Sequence, residues 1–166
     1  SHNFVKGVCV HCGAYDNYGI SYAFDSEKQC YYVAKNSSYE GEVAKVVPVY
    51  NDGMTGVYPV KYVSAAAFMD NPHVKTVVLP ESVDYIGGNA FFHMNNLQTL
   101  IMPGVELIQS GGEFGMNHIV RVNNLRNLVI KKDFVATGDS QIFVNDPDGT
   151  LNAMDVYAME KDGNIS

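Results

Sequence analysis

The sequence has 166 residues, of which 46% are hydrophobic and 17% charged, and its 11 basic against 18 acidic side chains give a net charge of −7. This length and apolar content fit one packed domain with at most a small appendage, and they argue against a disordered tail. The negative charge argues against a nucleic-acid partner, since Lys131-Lys132 is the sole adjacent basic pair. No apolar run approaches the roughly 18 residues that span a bilayer, so we expect no membrane insertion.

The N-terminal part contains one metal-like motif, Cys9-Val-His-Cys12-Gly. A C-x-x-C-G pattern is the shape of one zinc knuckle, but a structural zinc site needs four ligands, usually from two knuckles. The remaining candidates, Cys30, His11 and His118, lack knuckle spacing, and a second knuckle would have to come from outside this sequence. Three cysteines also cannot close a disulfide framework by themselves. We therefore expect free or incidentally oxidised thiols, with no metal and no cofactor.

The N-terminal segment, residues 1–56, shows no repeat, and it predicts a β-hairpin followed by one more strand. The hairpin comes from residues 20–24 and 30–33, which are alternating or aromatic-rich runs on either side of a polar loop. The third strand is expected at residues 43–47. We expect this part to cap the repeats that follow. Ser1-His2 resembles the remnant of a purification tag, and no signal peptide is visible.

The middle of the chain is organised by a 23-residue repeat. Each copy begins with an apolar motif that ends in phenylalanine, and Phe68, Phe91 and Phe114 follow one another at this spacing. A polar turn and an apolar strand of the form L-x-x-L-x-L come next. These strands start at Val74, Leu97 and Leu125. The third strand starts later than the repeat requires, which indicates a loop insertion of about five residues.

The apolar positions of the repeat have the pattern of a packed core. Side chains alternate along a strand, so the leucine positions face inward and stack on those of the neighbouring copy. The phenylalanines fill the opposite wall, and Ala67 and Ala90 leave room for a close approach of the backbone. One copy cannot bury its apolar edge alone, so several must stack. A degenerate fourth copy, Leu151-Asn-Ala-Met154-Asp-Val156, would cover the far end.

One copy, residues 83–103, reads Val-Asp-Tyr-Ile-Gly-Gly-Asn-Ala-Phe, then a polar turn, then Leu-Gln-Thr-Leu-Ile-Met-Pro. It resembles the unit of the BspA-like leucine-rich-repeat family of bacterial and protist surface proteins, V-x-x-I-G-x-x-A-F followed by L-x-x-L-x-L-P. The resemblance is close over residues 57–130 and loose over 131–157, and it departs at Glu113, which replaces the alanine. It implies a secreted or cell-surface bacterial protein that binds other macromolecules, but it does not identify the ligand.

These patterns predict a β-rich α/β fold, namely a right-handed leucine-rich-repeat solenoid of about four coils with an N-terminal β-hairpin cap. We expect the cap in residues 1–56, the solenoid in residues 57–157 and a C-terminal tail in residues 158–166. Because most residues of the motif are core, the pattern defines the fold better than it defines a ligand.

The side chains between the inward leucine positions point outward and form the candidate binding surface. We expect them to make two rows across the strands, mildly apolar and almost uncharged. The first row holds Thr76, Thr99, Asn127 and Ala153, and the second holds Val78, Ile101, Val129 and Asp155. A second candidate is the insertion at residues 115–124, which carries His118 and Arg121, because inserted loops often carry specificity.

The remaining polar residues have the pattern of solvated turns. His73, His93 and His118 each follow a repeat phenylalanine and would form at most a weak ladder along one edge. No nucleophile-elbow, zinc-protease or phosphate-loop motif occurs, so we expect no catalysis. The sequence therefore predicts a non-catalytic module that binds a host protein, a matrix protein or another copy. The alternatives are a structural spacer within a larger surface protein and, resting on Cys9 and Cys12 alone, a metal module.

Overall fold

The computed structural model describes residues 1–108, 125–131 and 155–159, with residues 107, 108, 131 and 155–159 described by their backbone alone. Within this part of the chain there are thirteen β-strands and no helix. In chain order the strands are β1 (Phe4–Val5), β2 (Val8–Cys9), β3 (Tyr22–Asp25), β4 (Cys30–Val33), β5 (Val43–Lys45), β6 (Val49–Asn51), β7 (Val57–Val63), β8 (Thr76–Val78), β9 (Tyr85–Ile86), β10 (Thr99–Met102), β11 (Leu107–Ile108), β12 (Asn127–Lys131) and β13 (Asp155–Met159).

Most of these strands belong to two sheets that the chain visits alternately. The five-stranded sheet has the order β13-β12-β10-β8-β5, and the six-stranded sheet has the order β11-β9-β7-β4-β3 with β6 paired to β7. All neighbours in the five-stranded sheet are parallel. Strands β11, β9, β7 and β4 are parallel as well. Each copy of the repeat therefore adds one strand to each sheet, as β7 and β8 do in the first copy and β9 and β10 in the second.

The strand register follows the 23-residue repeat. Leu100 pairs with Val77 on one side and with Leu128 on the other. In the six-stranded sheet, Tyr85 pairs with Tyr62. Equivalent residues of consecutive copies are therefore neighbours, as stacking of the copies requires.

The turns that carry the phenylalanines repeat their conformation too. Ala66 and Asn89, which are equivalent positions of consecutive copies, have φ angles of 58° and 59°. Asp70 and His93, a second equivalent pair, have φ angles of 65° and 60°. Backbone hydrogen bonds join one turn to the next with a fixed offset. They run from the N–H groups of Ala66, Phe68 and Asp70 to the carbonyls of Gly88, Ala90 and Phe92.

The core lies between the two sheets and the phenylalanine turns, at the positions that the sequence predicts. The leucine positions of the strands are buried. They are Val74, Val77, Leu79, Leu97, Leu100, Met102, Leu125 and Leu128. Phe68 and Phe91 are also buried and stack with ring centroids 6.0 Å apart. Burial of one such side chain contributes roughly 1.5–3 kcal/mol. The prediction for Phe114 lies outside the described residues.

The N-terminal segment, residues 1–56, joins both sheets. Strands β3 and β4 form the predicted antiparallel hairpin, with Tyr22 opposite Val33. Strand β4 then pairs in parallel with β7, and β5 pairs in parallel with β8. This part of the chain thus supplies β3 and β4, with β6 beside β7, to the six-stranded sheet and β5 to the five-stranded sheet. The division at residue 56 stays a prediction, and both sheets run across it.

An aromatic cluster fills the space between β3, β4, β6 and β7. Tyr31 is buried, and its ring meets those of Phe24 and Tyr50 edge-on at 5.3 and 5.1 Å. Tyr22 stacks on Tyr50 at 4.6 Å, and the hydroxyl of Tyr22 accepts a hydrogen bond from the backbone N–H of Val47. Burial raises the pKa of Tyr22 to about 12. The cluster continues the apolar core beyond the first copy of the repeat.

Two expectations need correction. The α/β class is wrong for the part of the chain that the structure describes, because the V-x-x-I segments form the parallel strands β7, β9 and β11 and no helix occurs there. The alignment of the fourth copy is wrong by two residues: it placed Ala153 beside Asn127, whereas Asp155 pairs with Asn127. A shift of two residues keeps the alternation of faces along a strand, so the apolar pattern could not distinguish the two registers.

Candidate functional site

The outward positions of the five-stranded sheet form the two rows that the sequence predicts. Thr76, Thr99 and Asn127 pair in register across β8, β10 and β12. Val78, Ile101 and Val129 pair two residues further on. Strand β5 extends the rows with Val43 and Lys45, and β13 extends them with Asp155 and Tyr157. Asp155 therefore belongs to the row of Asn127 and not to the row of Val129, where the sequence alignment had placed it.

Across β8, β10 and β12, accessibility is similar along the two rows except at Val129. Thr76, Val78, Thr99 and Ile101 are half-buried, as expected for side chains on the open face of a sheet. Val129 retains only 5% of its surface, so its predicted place on an exposed stripe is wrong. It lies on β12, which has a strand on either side, and it counts as a packed residue.

On β8, β10 and β12 the chemistry of this face is that of hydroxyl, amide and alkyl groups, and β5 adds the ammonium group of Lys45. The Asn127 Nδ2 donates to Oγ1 of Thr99 over 3.3 Å, which links β12 to β10 on the outward side. At the start of β8, Lys75 pairs with Glu42 over 3.2 Å, and both side chains are about half exposed or more. Surface ion pairs of this kind contribute little to stability. The face can form hydrogen bonds and apolar contacts with a partner.

The structure describes no side-chain position for three of the predicted binding residues. His118 and Arg121 lie outside the described residues, as does the whole of the 115–124 insertion. For Asp155 the structure gives only the backbone register beside Asn127. These residues stay predictions.

The outward face of the six-stranded sheet carries a tyrosine ladder that the sequence analysis missed. Tyr32, Tyr62 and Tyr85 occupy paired positions on β4, β7 and β9. The rings of Tyr32 and Tyr62 stack at 4.9 Å with an interplanar angle of 10°, and Tyr85 meets Tyr62 edge-on at 6.2 Å. The signal was present in the sequence, since Tyr62 and Tyr85 are separated by one full repeat.

Two charged residues lie against this ladder. Lys28 Nζ sits over the Tyr62 ring at 4.6 Å and over the Tyr85 ring at 5.9 Å. The Tyr62 hydroxyl donates to Oδ2 of Asp25 over 2.7 Å. That hydrogen bond, together with one from the backbone N–H of Lys28, lowers the pKa of Asp25. Burial and the neighbouring Asp25 carboxylate raise the pKa of Tyr62. The rings contact one another and each tyrosine is half-buried, so the ladder is partly self-packed.

The predicted histidine ladder does not form as expected between His73 and His93. The residue equivalent to His93 in the preceding copy is Asp70, and His93 Nδ1 lies 3.1 Å from Asp70 Oδ1. His73 occupies a different position in its turn, where its backbone N–H donates to Oδ1 of Asn71. The two histidines are closer in sequence than one full repeat, which explains the difference. His118 lies outside the described residues.

The metal-like motif is the one place in the described chain where several metal-binding side chains converge. His2, Cys9 and Cys12 bring their ligand atoms within 4.8 Å of one another. Burial acts to raise the pKa of Cys9, but hydrogen bonds from the backbone of His11 and Asn3 and from His2 outweigh it and lower that pKa to about 6. The sequence predicted no such grouping, because it gave no reason to bring His2 to the cysteines.

Comparison with known proteins identifies the fold. No family model and no curated protein matches the sequence. A leucine-rich repeat protein from Bacteroides capillosus has a TM-score of 0.63 at 18% identity, over 86% of this chain and 95% of that chain. A leucine rich cell surface protein from Faecalibacterium prausnitzii has a TM-score of 0.54 at 15% identity, over 86% of this chain and 42% of that one. The leucine rich repeat protein of T. pallidum has a TM-score of 0.50 at 18% identity, over 82% and 62%.

The alternating parallel sheets, the 23-residue register and these likenesses define the fold as that of leucine-rich-repeat proteins. The predicted leucine-rich-repeat fold is thus confirmed, and the neighbours are bacterial proteins of that kind. The chain spans less than half the length of the Faecalibacterium prausnitzii protein. Among the described residues no helix is long and apolar enough to cross a membrane.

Proposed function

We propose that this chain is a non-catalytic protein-binding module of a secreted or cell-surface bacterial protein of the BspA-like class. Its partner is a host protein, a matrix protein or a second copy of the chain. The observation that carries the proposal is the outward face of β8 and β10, where Thr76, Val78, Thr99 and Ile101 stand in two registered rows. The Faecalibacterium prausnitzii neighbour, a leucine rich cell surface protein, supports the location.

The physical argument begins with the rigidity of this face. Strands β8 and β10 each have a paired strand on both sides, so their outward side chains are held in place before a partner arrives. A surface that is already ordered loses little conformational entropy on binding. Val78 and Ile101 are half-buried and gain further burial against a partner, at about 25 cal/mol for each Å² of apolar surface. Thr76 and Thr99 beside them supply hydroxyl groups that can form hydrogen bonds with a partner backbone.

The same face argues against catalysis and against a nucleic-acid partner. The described side chains of the two rows carry hydroxyl, amide and alkyl groups and, on β5, the ammonium group of Lys45, and a nucleophile next to a general base is not among them. The net charge of −7 opposes the approach of a polyanion.

We further propose that the strands wind as a right-handed solenoid of about four coils, with the β3–β4 hairpin as its N-terminal cap. The aromatic cluster of Phe24, Tyr31 and Tyr50 supports the cap, because it covers apolar side chains that the first coil would otherwise expose. A terminal cap with a polar outer surface is what keeps such arrays soluble.

A binding experiment that compares variants in the two sheets tests the protein-binding proposal. The chain is presented to immobilised matrix proteins, and the variants Val78→Ala and Ile101→Ala are compared with Lys61→Ala on β7 of the other sheet, a half-exposed residue that forms a surface ion pair with Asp84 over 3.2 Å. We expect the two apolar variants to weaken capture about tenfold while unfolding at nearly the wild-type temperature. Lys61→Ala should bind as the wild type does. Val129 is unsuitable as a probe because its burial would couple binding to stability.

Two outcomes would overturn this assignment. Equal capture by wild type, Val78→Ala and Ile101→Ala would show that the five-stranded sheet is not the binding face. Absence of any captured partner, combined with tolerance of the parent protein to replacement of the repeats by a linker of equal length, would establish the structural-spacer alternative.

A further inference from the structure

A cluster of three metal-ligating side chains lies in and beside the β1–β2 ribbon, on residues that are not part of the proposed binding face. Sγ of Cys9, Sγ of Cys12 and a ring nitrogen of His2 all lie within 4.8 Å of one another, and the Cys12 Sγ is 3.4 Å from Nδ1 of His2. Four ligands arranged tetrahedrally around zinc, at roughly 2.0–2.3 Å, are about 3.3–3.8 Å apart. The cluster therefore has nearly the dimensions of three corners of such a site.

The backbone around the cluster explains why the side chains converge. Strands β1 and β2 form a small antiparallel ribbon in which Phe4 pairs with Cys9, and this pairing brings the residues before Phe4 alongside the second cysteine. The turn after β2 is closed by two backbone hydrogen bonds, from Gly13 N–H to the Cys9 carbonyl at 2.9 Å and from Cys9 N–H to the Ala14 carbonyl at 2.7 Å. Gly13 has φ of 78°, a conformation that favours glycine.

The rest of the protein holds this turn in position. The Asn51 Nδ2 donates to the Gly13 carbonyl at 3.0 Å, and Tyr15 N–H donates to the Asn51 carbonyl at 2.8 Å. Gly53 leaves only enough room for Cys12, since a Cβ at position 53 would lie 3.0 Å from the Cys12 Sγ. The turn that carries the two cysteines is thus held by contacts with Asn51 and Gly53, and little reorganisation is needed to bind an ion.

We propose that Cys9, Cys12 and His2 bind a Zn²⁺ ion, with the fourth position filled by water or by a ligand supplied in solution. Thiolate sulfur and imidazole nitrogen are the donors that zinc prefers, whereas magnesium and calcium prefer oxygen. Two thiolates also balance the charge of the divalent ion, and binding releases the thiol protons to solvent. Cys30 is not part of this group and serves as the internal control.

This assignment differs from the expectation drawn from the sequence, which gave the C-x-x-C-G motif no third ligand and read Ser1-His2 as a remnant of a purification tag. The contributions of the two cysteines and of His2 to zinc binding can be measured separately. The cysteines supply two ligands whatever residue occupies position 2, and a His2→Ala variant measures the contribution of the imidazole alone. His2 is exposed, so its removal leaves the packed core intact.

The test uses the full 166-residue chain, reduced, stripped of metal and titrated with Zn²⁺ and separately with Co²⁺. We expect about one equivalent of zinc per chain, and for cobalt an intense near-ultraviolet band from thiolate ligation. Cys9→Ser and Cys12→Ser should each weaken binding about a hundredfold, and His2→Ala about tenfold. Cys30→Ser should bind as the wild type does, provided that circular dichroism shows all variants to be folded.

Three results would overturn the proposal. The first is uptake of less than about a tenth of an equivalent of zinc by the reduced wild-type chain. The second is an equal loss of affinity in Cys30→Ser and Cys12→Ser. The third is a cobalt spectrum without the thiolate band, since that would place the ion on other donors. If Cys9→Ser fails to fold, the His2→Ala titration and the cobalt spectrum of the wild type still decide the question.

Discussion

The Tyr62 hydroxyl donates a hydrogen bond to Oδ2 of Asp25 over 2.7 Å and thereby links β7 to β3 across the strand that lies between them. This contact lies at the junction between the N-terminal hairpin and the first repeat. It joins two groups whose pKa values the fold moves in opposite directions, down for Asp25 and up for Tyr62.

The first prediction concerns the pH dependence of stability. Because the pKa of folded Asp25 lies below its ordinary value of 3.8, its stabilising effect is present above that pH and is lost as the pH falls through the folded pKa. Because the pKa of folded Tyr62 lies above its ordinary value of 10, the stability linked to its proton is present below pH 10 and is lost as the pH rises further. We expect Tyr62→Phe to unfold a few degrees below the wild type at pH 7.

The difference between Tyr62→Phe and the wild type should shrink below pH 3.8 and above pH 10. Thermal unfolding followed by circular dichroism across this pH range makes the measurement. Tyr32→Phe is the matched control, since Tyr32 stacks on Tyr62 but makes no side-chain hydrogen bond within the described residues. A difference that stays constant with pH would mean that the hydroxyl acts through packing alone.

The second prediction concerns the core of the repeats. Leu100 is fully buried between Val77 and Leu128, so Leu100→Ala should lower the free energy of unfolding by about 2–5 kcal/mol. Gln98→Ala, at an exposed position next to the same strand, should stay within about 0.5 kcal/mol of the wild type. Urea unfolding measures both. Similar values for the two variants would contradict the assignment of Leu100 to the core.

The third prediction concerns the buried Asn71. Its Nδ2 donates to the carbonyls of Asn36 and Tyr39 at 2.8 and 2.9 Å, and its Oδ1 accepts from the N–H groups of His73 and Val74. Asn71→Ala leaves these backbone groups without a hydrogen-bond partner. We expect it to lower the free energy of unfolding by about 2–4 kcal/mol.

Two further variants sharpen the test at this position. Asn71→Asp keeps the acceptor but loses both donated hydrogen bonds, so it should remain strongly destabilised. Asn96→Ala removes an exposed side-chain bond to the Pro72 carbonyl and should cost about 1 kcal/mol or less. If Asn71→Asp proves as stable as the wild type, the donated hydrogen bonds do not hold the turn in place.

The fourth prediction concerns the close approach of two turns at Gly87. A Cβ at this position would lie 2.9 Å from the Cα of Ala65, in the turn of the preceding copy. Gly87→Ala should therefore destabilise the protein by about 1–3 kcal/mol through overpacking. Ser64 is the equivalent position of the preceding copy, with a side chain already present. Ser64→Ala loses only the hydrogen bond from Oγ to the Val33 carbonyl, so it should cost less than Gly87→Ala in the same unfolding assay.

The repeat made the core predictable, because Val77, Leu100 and Leu128 occupy the same place in successive units and an inward position in one predicts the others. The N-terminal strand β5 was harder to assign. Residues 43–47 predict a strand, but nothing in their composition indicates that β5 pairs in parallel with β8. Such a pairing is set by the path of the chain between β4 and β5, which local sequence does not encode.

The candidate sites were predicted less completely than the core, for physical reasons that differ between them. The outward rows at Thr76 and Thr99 follow from the alternation of a strand, but the burial of Val129 depends on what packs over the sheet. Tyr62 and Tyr85 could have been recognised from their equivalent places in the repeat. The approach of His2 to Cys12 depends on the two-residue strands β1 and β2, which are too short to give a sequence signal.

The hydrogen bonds with a fixed offset between the turns at Phe68 and Phe91 have a consequence for how such a molecule changes in length. Each repeat presents the same backbone hydrogen-bonding groups to the repeat that follows it, so one repeat can stack on any other. Duplication of one whole repeat, such as residues 80–102, would insert a repeat whose strands and turn find hydrogen-bonding partners on both sides. The reach of the molecule can therefore grow in steps of about 4.8 Å, one strand spacing at a time.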